Sequence, residues 1–151
     1  MKLGQELNAT YIAYGQKGTE KKKRQATQDS FAKTAGVGVM AQRAVAKASK
    51  QYKNEAWDLV DAEKEGSINV EELDEAELPA EMQKMTPKER KQHIEKMAKE
   101  REELQKKINK LNEERRKYVA EQRKNSPDNT LDAAIIQAVQ EQAQKKKYAF
   151  E

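Results

Sequence analysis

Apolar residues along this chain recur mostly at intervals of three and four, the spacing of one helical face. The opening stretch LGQELNATYIAYG places Leu3 and Leu7 at helical spacing and then gathers Tyr11, Ile12 and Tyr14 before Gly15 and Gly18. A second helix is predicted from Thr19 through TEKKKRQATQDSFAKTA, very polar, with Phe31 as its anchor, until Gly36-Val37-Gly38 interrupts it. A third, from about Val39, carries a stripe of small residues, Ala41, Ala44, Val45 and Ala48, leading to Tyr52, which suits close approach of another helix. In EAWDLVDAEKEG the most concentrated apolar patch, Trp57, Leu59 and Val60, reads as a set of core anchors. Nothing alternates for long enough to suggest a sheet, so the predicted fold class is all-α.

The clearest local signal begins at Thr86. In TPKE, Thr86 can cap a helix, Pro87 suits its first position and Glu89 completes a capping box. No proline or glycine follows until Pro127, so the helix can occupy 87–124, about 57 Å at 1.5 Å per residue. A compact chain of 151 residues has a radius of gyration of about 15 Å, so an elongated bundle or hairpin is expected.

Ile94, Met97, Arg101, Leu104, Ile108, Leu111, Arg115 and Tyr118 follow alternating steps of three and four. This heptad spacing makes a coiled-coil-like packing seam. Arg101 and Arg115 interrupt the seam and each needs a carboxylate or a wet edge. Antiparallel pairing with the second and third helices is the favoured reading, with a homodimer through the long helix as its rival. Glu102–Lys106 and similar pairs support the outer face. A short amphipathic helix is predicted over 130–147, capped by Thr130, with Leu131, Ile135 and Val139 as core anchors and Lys145–Lys147 suiting its end. Tyr148 and Phe150 are expected to fold back onto the body. The chain thus reads as one helical module: N-terminal helices over 1–66, an acidic connector over 67–86, the long helix and the last helix.

Charge sharpens this organisation. The net charge is +4, yet residues 1–54 hold 11 basic and 3 acidic side chains, residues 55–81 hold 1 and 11, and residues 87–124 hold 14 and 8. Two basic arms around an acidic middle predict internal complementarity, and the acidic centre argues against a nucleic-acid partner. With 37% charged residues and few glycines and prolines, long helices are favoured over a disordered linker. There are no cysteines, which removes disulfides, thiolate metal sites and a cysteine nucleophile. No apolar run approaches a membrane span, and MKLGQELNAT lacks the apolar stretch of a signal peptide.

Candidate chemistry is sparse. His93, the single histidine, falls on the long helix beside Ile94 without an evident catalytic partner. No Ser/His/Asp arrangement, phosphate-binding glycine loop or HExxH motif occurs, so no enzyme, catalytic residue or cofactor is predicted. Lys21-Lys22-Lys23-Arg24 reads as a solvated face, with phosphate or an anionic surface as the alternative. DAEKEGSINVEE falls into the register of a calcium-binding EF-hand, with Asp61, Glu63, Glu65, Gly66, Ile68 and Glu72 at positions 1, 3, 5, 6, 8 and 12. Glutamates at positions 3 and 5, Pro79 soon afterwards and no second loop weigh against it. The competing reading has Gly66 ending a helix, Asn69 capping an acidic turn, and the carboxylates drawn to the basic arms, with Arg101 or Arg115 among their partners.

Five stretches together, ELNATYIAYGQKG, RQATQDS, YKNEAWDLVDA, ELPAEMQKMTPKER and TLDAAIIQAVQEQA, resemble in order and spacing one bacterial family. They are similar to the helical region that follows the A domain in bacterial von Willebrand factor type A proteins. The resemblance covers essentially the whole chain and implies a non-enzymatic stalk or scaffold attached to an A domain, acting through protein contacts in the bacterial periplasm or at the cell surface. The family's adhesion motif, Asp-x-Ser-x-Ser, does not occur here, so no adhesion residue carries over.

Overall fold

A computed structural model describes residues 2–124 and 131–146, and their side chains over 2–123 and 134–146. The chain is all-α. Its helices are α1 (Lys2–Ala9), α2 (Gly18–Thr34), α3 (Val37–Lys47), α4 (Leu59–Lys64), α5 (Ala80–Gln83), α6 (Pro87–Lys124) and α7 (Leu131–Lys145), with a 3₁₀ turn at Glu75–Glu77. Among the described residues the single piece of β pairing is an antiparallel bridge between Ala13 and Asp58. The chain divides into two compact units, 1–112 and 113–151.

Within the first unit, α2 and α3 form the one extended helix–helix contact among the described residues. Ala32 and Gln25 are the buried side chains of α2, seven positions apart and so on nearly one face. Phe31 is not the anchor of α2: it is 69% exposed. The neighbouring alanine takes the inward position because a small side chain lets two helices approach closely. Gly18 opens α2 where a Cβ would stand 3.3 Å from the Ala13 carbonyl carbon and 3.5 Å from the Trp57 carbonyl oxygen.

Two apolar clusters form the interior. One joins Ile12, Leu59, Val60, Val70, Leu78, Met82 and Ile94. The other joins Leu7, Tyr11, Ala48, Trp57 and Ile108, with Leu104 packed against it. The α6 seam contributes to both. Ile94 enters the first cluster and Ile108 the second, and Arg101, midway between them in sequence, is buried as well. The residues clustered with the seam come from α1, the 10–14 segment, the C-terminal part of α3, α4, the connector and α5, so it does not make an antiparallel hairpin with α2.

Local signals set the ends of the elements. Thr86 and Glu89 form a reciprocal capping box, with the Thr86 N–H donating to Glu89 Oε2 at 2.8 Å and the Glu89 N–H to Thr86 Oγ1 at 3.4 Å. Gly66, at φ +70°, ends α4 in a Schellman arrangement: Ser67 N–H donates to the Ala62 carbonyl at 2.9 Å and Gly66 N–H to that of Glu63 at 3.1 Å. The connector over 67–86 is fastened to α6 by buried Arg90, whose guanidinium donates to the carbonyls of Met85 and Leu73, each at 3.1 Å.

In the second unit, Ile135 and Val139 are 52% and 54% exposed, which corrects their expected role as core anchors. A unit this short has too little surface to enclose a core of its own. The side chain of Leu131, the cap expected at Thr130 and the fold-back expected of Tyr148 and Phe150 lie outside the described residues. No described helix is long and apolar enough to cross a membrane.

Candidate functional site

Arg101 is the centre of a buried polar node. Its Nη1 donates to Asp58 Oδ2 at 2.6 Å and to Asp61 Oδ1 at 2.8 Å. Its Nη2 donates to the Thr10 carbonyl at 2.6 Å and to Asp58 Oδ1 at 3.3 Å, and its Nε to Thr10 Oγ1 at 3.0 Å. The guanidinium carbon also lies 4.1 Å from the centroid of the Tyr11 ring, a cation–π contact. All three guanidinium nitrogens are engaged, the fork geometry that distinguishes arginine from lysine in buried sites.

The chain delivers these partners through local chemistry. Asp58 is the N-cap of α4, accepting from the Asp61 N–H at 3.1 Å, and it also accepts from the Ile12 N–H at 2.7 Å. The bridge to the 11–14 segment holds it there, with Leu59 N–H on the Ile12 carbonyl at 2.9 Å and Tyr14 N–H on that of Trp57 at 3.0 Å. Burial works against the charge on Arg101, but the hydrogen bond and charge of Asp58, with the charge of Asp61, more than offset it and hold the guanidinium above its ordinary pKa. Burial also pushes the Tyr11 phenol well above the usual tyrosine range, with the Arg101 charge opposing.

A second polar node knits α1, α2 and α3 together. Asp29 accepts from Asn8 Nδ2 at 2.6 Å, Arg43 Nε at 2.7 Å and Lys47 Nζ at 2.8 Å. Lys47 also donates to Asn8 Oδ1, and its ammonium lies 5.5 Å from the centroid of the same Tyr11 ring. Burial raises the Asp29 carboxyl, but hydrogen bonds from Lys47, Asn8 and Arg43 together win and bring it below the usual carboxylate range. Burial lowers Lys47, with Asp29 opposing. Asn8, in the Asn-Ala-Thr triplet of a glycosylation sequon, is half-buried with its side-chain amide engaged by Asp29 and Lys47, and Thr10 of the same triplet is buried.

The candidate calcium loop does not assemble. Asp61 spends one oxygen on Arg101 and the other on the Asn54 N–H at 2.8 Å. Glu63 accepts from the Val70 N–H at 2.8 Å, Glu65 pairs with Lys53 at 2.6 Å, and Glu72 accepts from Asn69 Nδ2 at 2.8 Å. Each carboxylate faces a different partner, and no three His, Cys, Asp or Glu side chains among the described residues converge on a metal position. The acidic middle instead meets both basic arms, with Lys53 on one side and Lys91, Arg90 and Arg101 on the other; Lys91 reaches Glu71 at 3.2 Å.

Along the seam, Ile94, Arg101 and Ile108 are buried, and Met97 and Leu104 are partly buried. The same heptad phase then emerges into the open: Leu111 is 51% exposed, Tyr118 is 62% exposed and Arg115 is exposed. Of the expected core anchors in the first unit, Trp57, Leu59 and Val60 are all buried. His93 is half-buried on α6. Within the 21–24 run, Lys22 turns inward to donate to the Tyr11 carbonyl at 2.7 Å, and Arg24 lies 3.7 Å from Glu20.

Sequence reasoning missed Asp58 and the Asn8–Asp29–Lys47 set. Asp58 had a readable signal: an aspartate before Leu59-Val60, with a second acidic residue three positions on, is a helix-start signature. The second node had none, because its members are spread over three helices. No protein family, curated protein or solved structure matches the chain.

Proposed function

We propose that this chain is a non-enzymatic helical module that carries an attached domain and engages a protein through the second half of the α6 seam. The observation that carries the reading is the change along one heptad phase. Its first part is consumed by the chain's own interior, and Leu111, Arg115 and Tyr118 continue it unburied. Apolar residues kept in coiled-coil phase beyond the interior suit a partner helix. The resemblance of the five stretches to the region following a von Willebrand factor A domain supports an A domain as the attached domain, in a bacterial protein of the periplasm or cell surface.

Two arms test the reading. Translating the reading frame upstream of Met1 should reveal an A domain, and its absence there would sink the attachment. The partner arm uses Leu111→Asp with Tyr118→Asp in the full protein. Sedimentation velocity and pull-down against the attached domain should both register weaker association, while the helical circular dichroism signal stays intact. If association by both measures is unchanged, the seam is not the docking face.

A further inference from the structure

α7 carries an apolar face that the described residues leave uncovered. Ile135 and Val139 stand in the open, Ile136 is 43% exposed, and Ala143 is partly buried. Ile136, Val139 and Ala143 follow steps of three and four, and Ile135 lies one turn before Val139. The four therefore share one stripe about 100° wide, the width of a face that packs against another element. The other side of the helix carries Gln137, Gln140, Glu141 and Gln144, with Gln137 Nε2 donating to Glu141 Oε1 at 3.1 Å. One side is built for contact and the other for water.

Charge decides what covers the stripe. No lysine or arginine occurs over 131–144, so the helix lacks the basic polar side by which an amphipathic helix lies on an anionic membrane. The row Ile136, Val139, Ala143 continues in heptad spacing to Asp132, four positions earlier, and to Lys146, three positions later. Lys145 stands beside Lys146, and both are exposed. An apolar row with an acid at its start and bases at its end is complementary to itself when a second copy runs antiparallel. Each Asp132 then faces the lysine end of the other copy, and the two helix dipoles oppose. Parallel copies would set acid against acid and lysine against lysine. The antiparallel pair has two-fold symmetry, which closes the assembly at two copies.

We propose that the Ile135–Ile136–Val139–Ala143 face of α7 is a self-association surface, on which α7 of a second copy packs antiparallel. One short helix per copy buries less than about 1,200 Å² in total, the class of weak and transient association. The dimer therefore has a Kd on the order of tens of micromolar. The inference uses a different helix and a different partner from the proposed docking role of Leu111 and Tyr118, so the two stand or fall separately.

Sedimentation velocity of the full chain alone, over concentrations spanning that constant, should show a monomer–dimer equilibrium. Ile136→Gln with Val139→Gln removes the apolar contact and leaves a residue that favours the helix at least as well. This pair should weaken dimerisation about tenfold, with the helical circular dichroism signal unchanged. Charge reversal tests the orientation. Asp132→Lys and Lys146→Asp should each weaken the dimer about threefold, and both in one chain should recover most of the loss, because opposite charges face each other again. A chain that stays monomeric throughout would overturn the proposal. So would a dimer indifferent to the glutamine pair. A dimer lost instead with Leu111→Asp and Tyr118→Asp would also overturn it, assigning self-association to the α6 seam. A double charge reversal weaker than either single variant would rule out the antiparallel arrangement.

Discussion

Arg101 and Asp58, 43 residues apart in sequence, meet through two hydrogen bonds of 2.6 and 3.3 Å in a site where both side chains are almost wholly removed from solvent. The carboxylate belongs to a helix cap and the guanidinium to the middle of α6, so one contact joins local helix initiation to long-range packing. A buried pair of this kind is weak evidence of net stabilisation, but removing one member strands the other charge.

Arg101→Met should therefore lower the stability of the first unit by about 3–5 kcal/mol, because Asp58 and Asp61 lose their counter-charge. Adding Asp58→Asn should return part of that loss, since asparagine still caps a helix well. Urea unfolding of the two single variants and the double should give a coupling of about 1–3 kcal/mol. Simple additivity would show that the pair does not act as a unit.

Asp29 sets the sign of an acid transition. Its carboxyl is held below the usual range in the folded chain, so its stabilising contribution is present above the unfolded value of about 3.9 and disappears as pH falls through the lower folded value. Asp29→Asn should flatten the acid limb of the melting-temperature profile below about pH 4. An unchanged limb would assign the acid sensitivity to other carboxylates.

Two glycines should respond in opposite directions. Gly18→Ala places a methyl 3.3 Å from a backbone carbon and should destabilise by about 1 kcal/mol. Gly38→Ala, within α3, meets nothing within 4 Å and should stabilise by about 0.5 kcal/mol through helix propensity and lost unfolded-state freedom. Thermal denaturation of the two variants side by side checks both signs.

The capping box at the start of α6 should be local in its effect. Thr86→Ala removes the side-chain acceptor used by the Glu89 N–H and should cost about 1 kcal/mol. Hydrogen exchange should quicken at residues 88–90 and change little around Ile108. A spread of faster exchange along the whole helix would mean that α6 folds as one unit from its N-terminus.

The long helix was legible because several signals agreed: a cap, a proline at the first position, no breaker and an unbroken heptad phase. Where its burial stops was not legible. Periodicity says which face is apolar, and Leu111 and Tyr118 obey it as faithfully as Ile94 and Ile108, yet only the latter two are covered. The need of Arg101 for a carboxylate followed from its seam position; that Asp58 answers it depends on a bridge between segments far apart in sequence. DAEKEGSINVEE shows the opposite limit. Its spacing satisfies the calcium register, but spacing cannot say that Asp61 turns to Arg101 while Glu65 turns to Lys53. Phe31 misled for a simpler reason: in a helix nearly devoid of apolar residues the largest one attracts the anchor role, while close packing prefers Ala32.

The stacking of Trp57 on Tyr11, with ring centroids 5.8 Å apart, gives the chain a built-in optical probe. Trp57 is its single tryptophan, 7% exposed, with the indole N–H donating to Asn54 Oδ1 at 3.2 Å. Its fluorescence therefore originates at one address, beside the ring that Arg101 and Lys47 both approach. Emission from the native protein reports the integrity of the interior around the two polar nodes without any label.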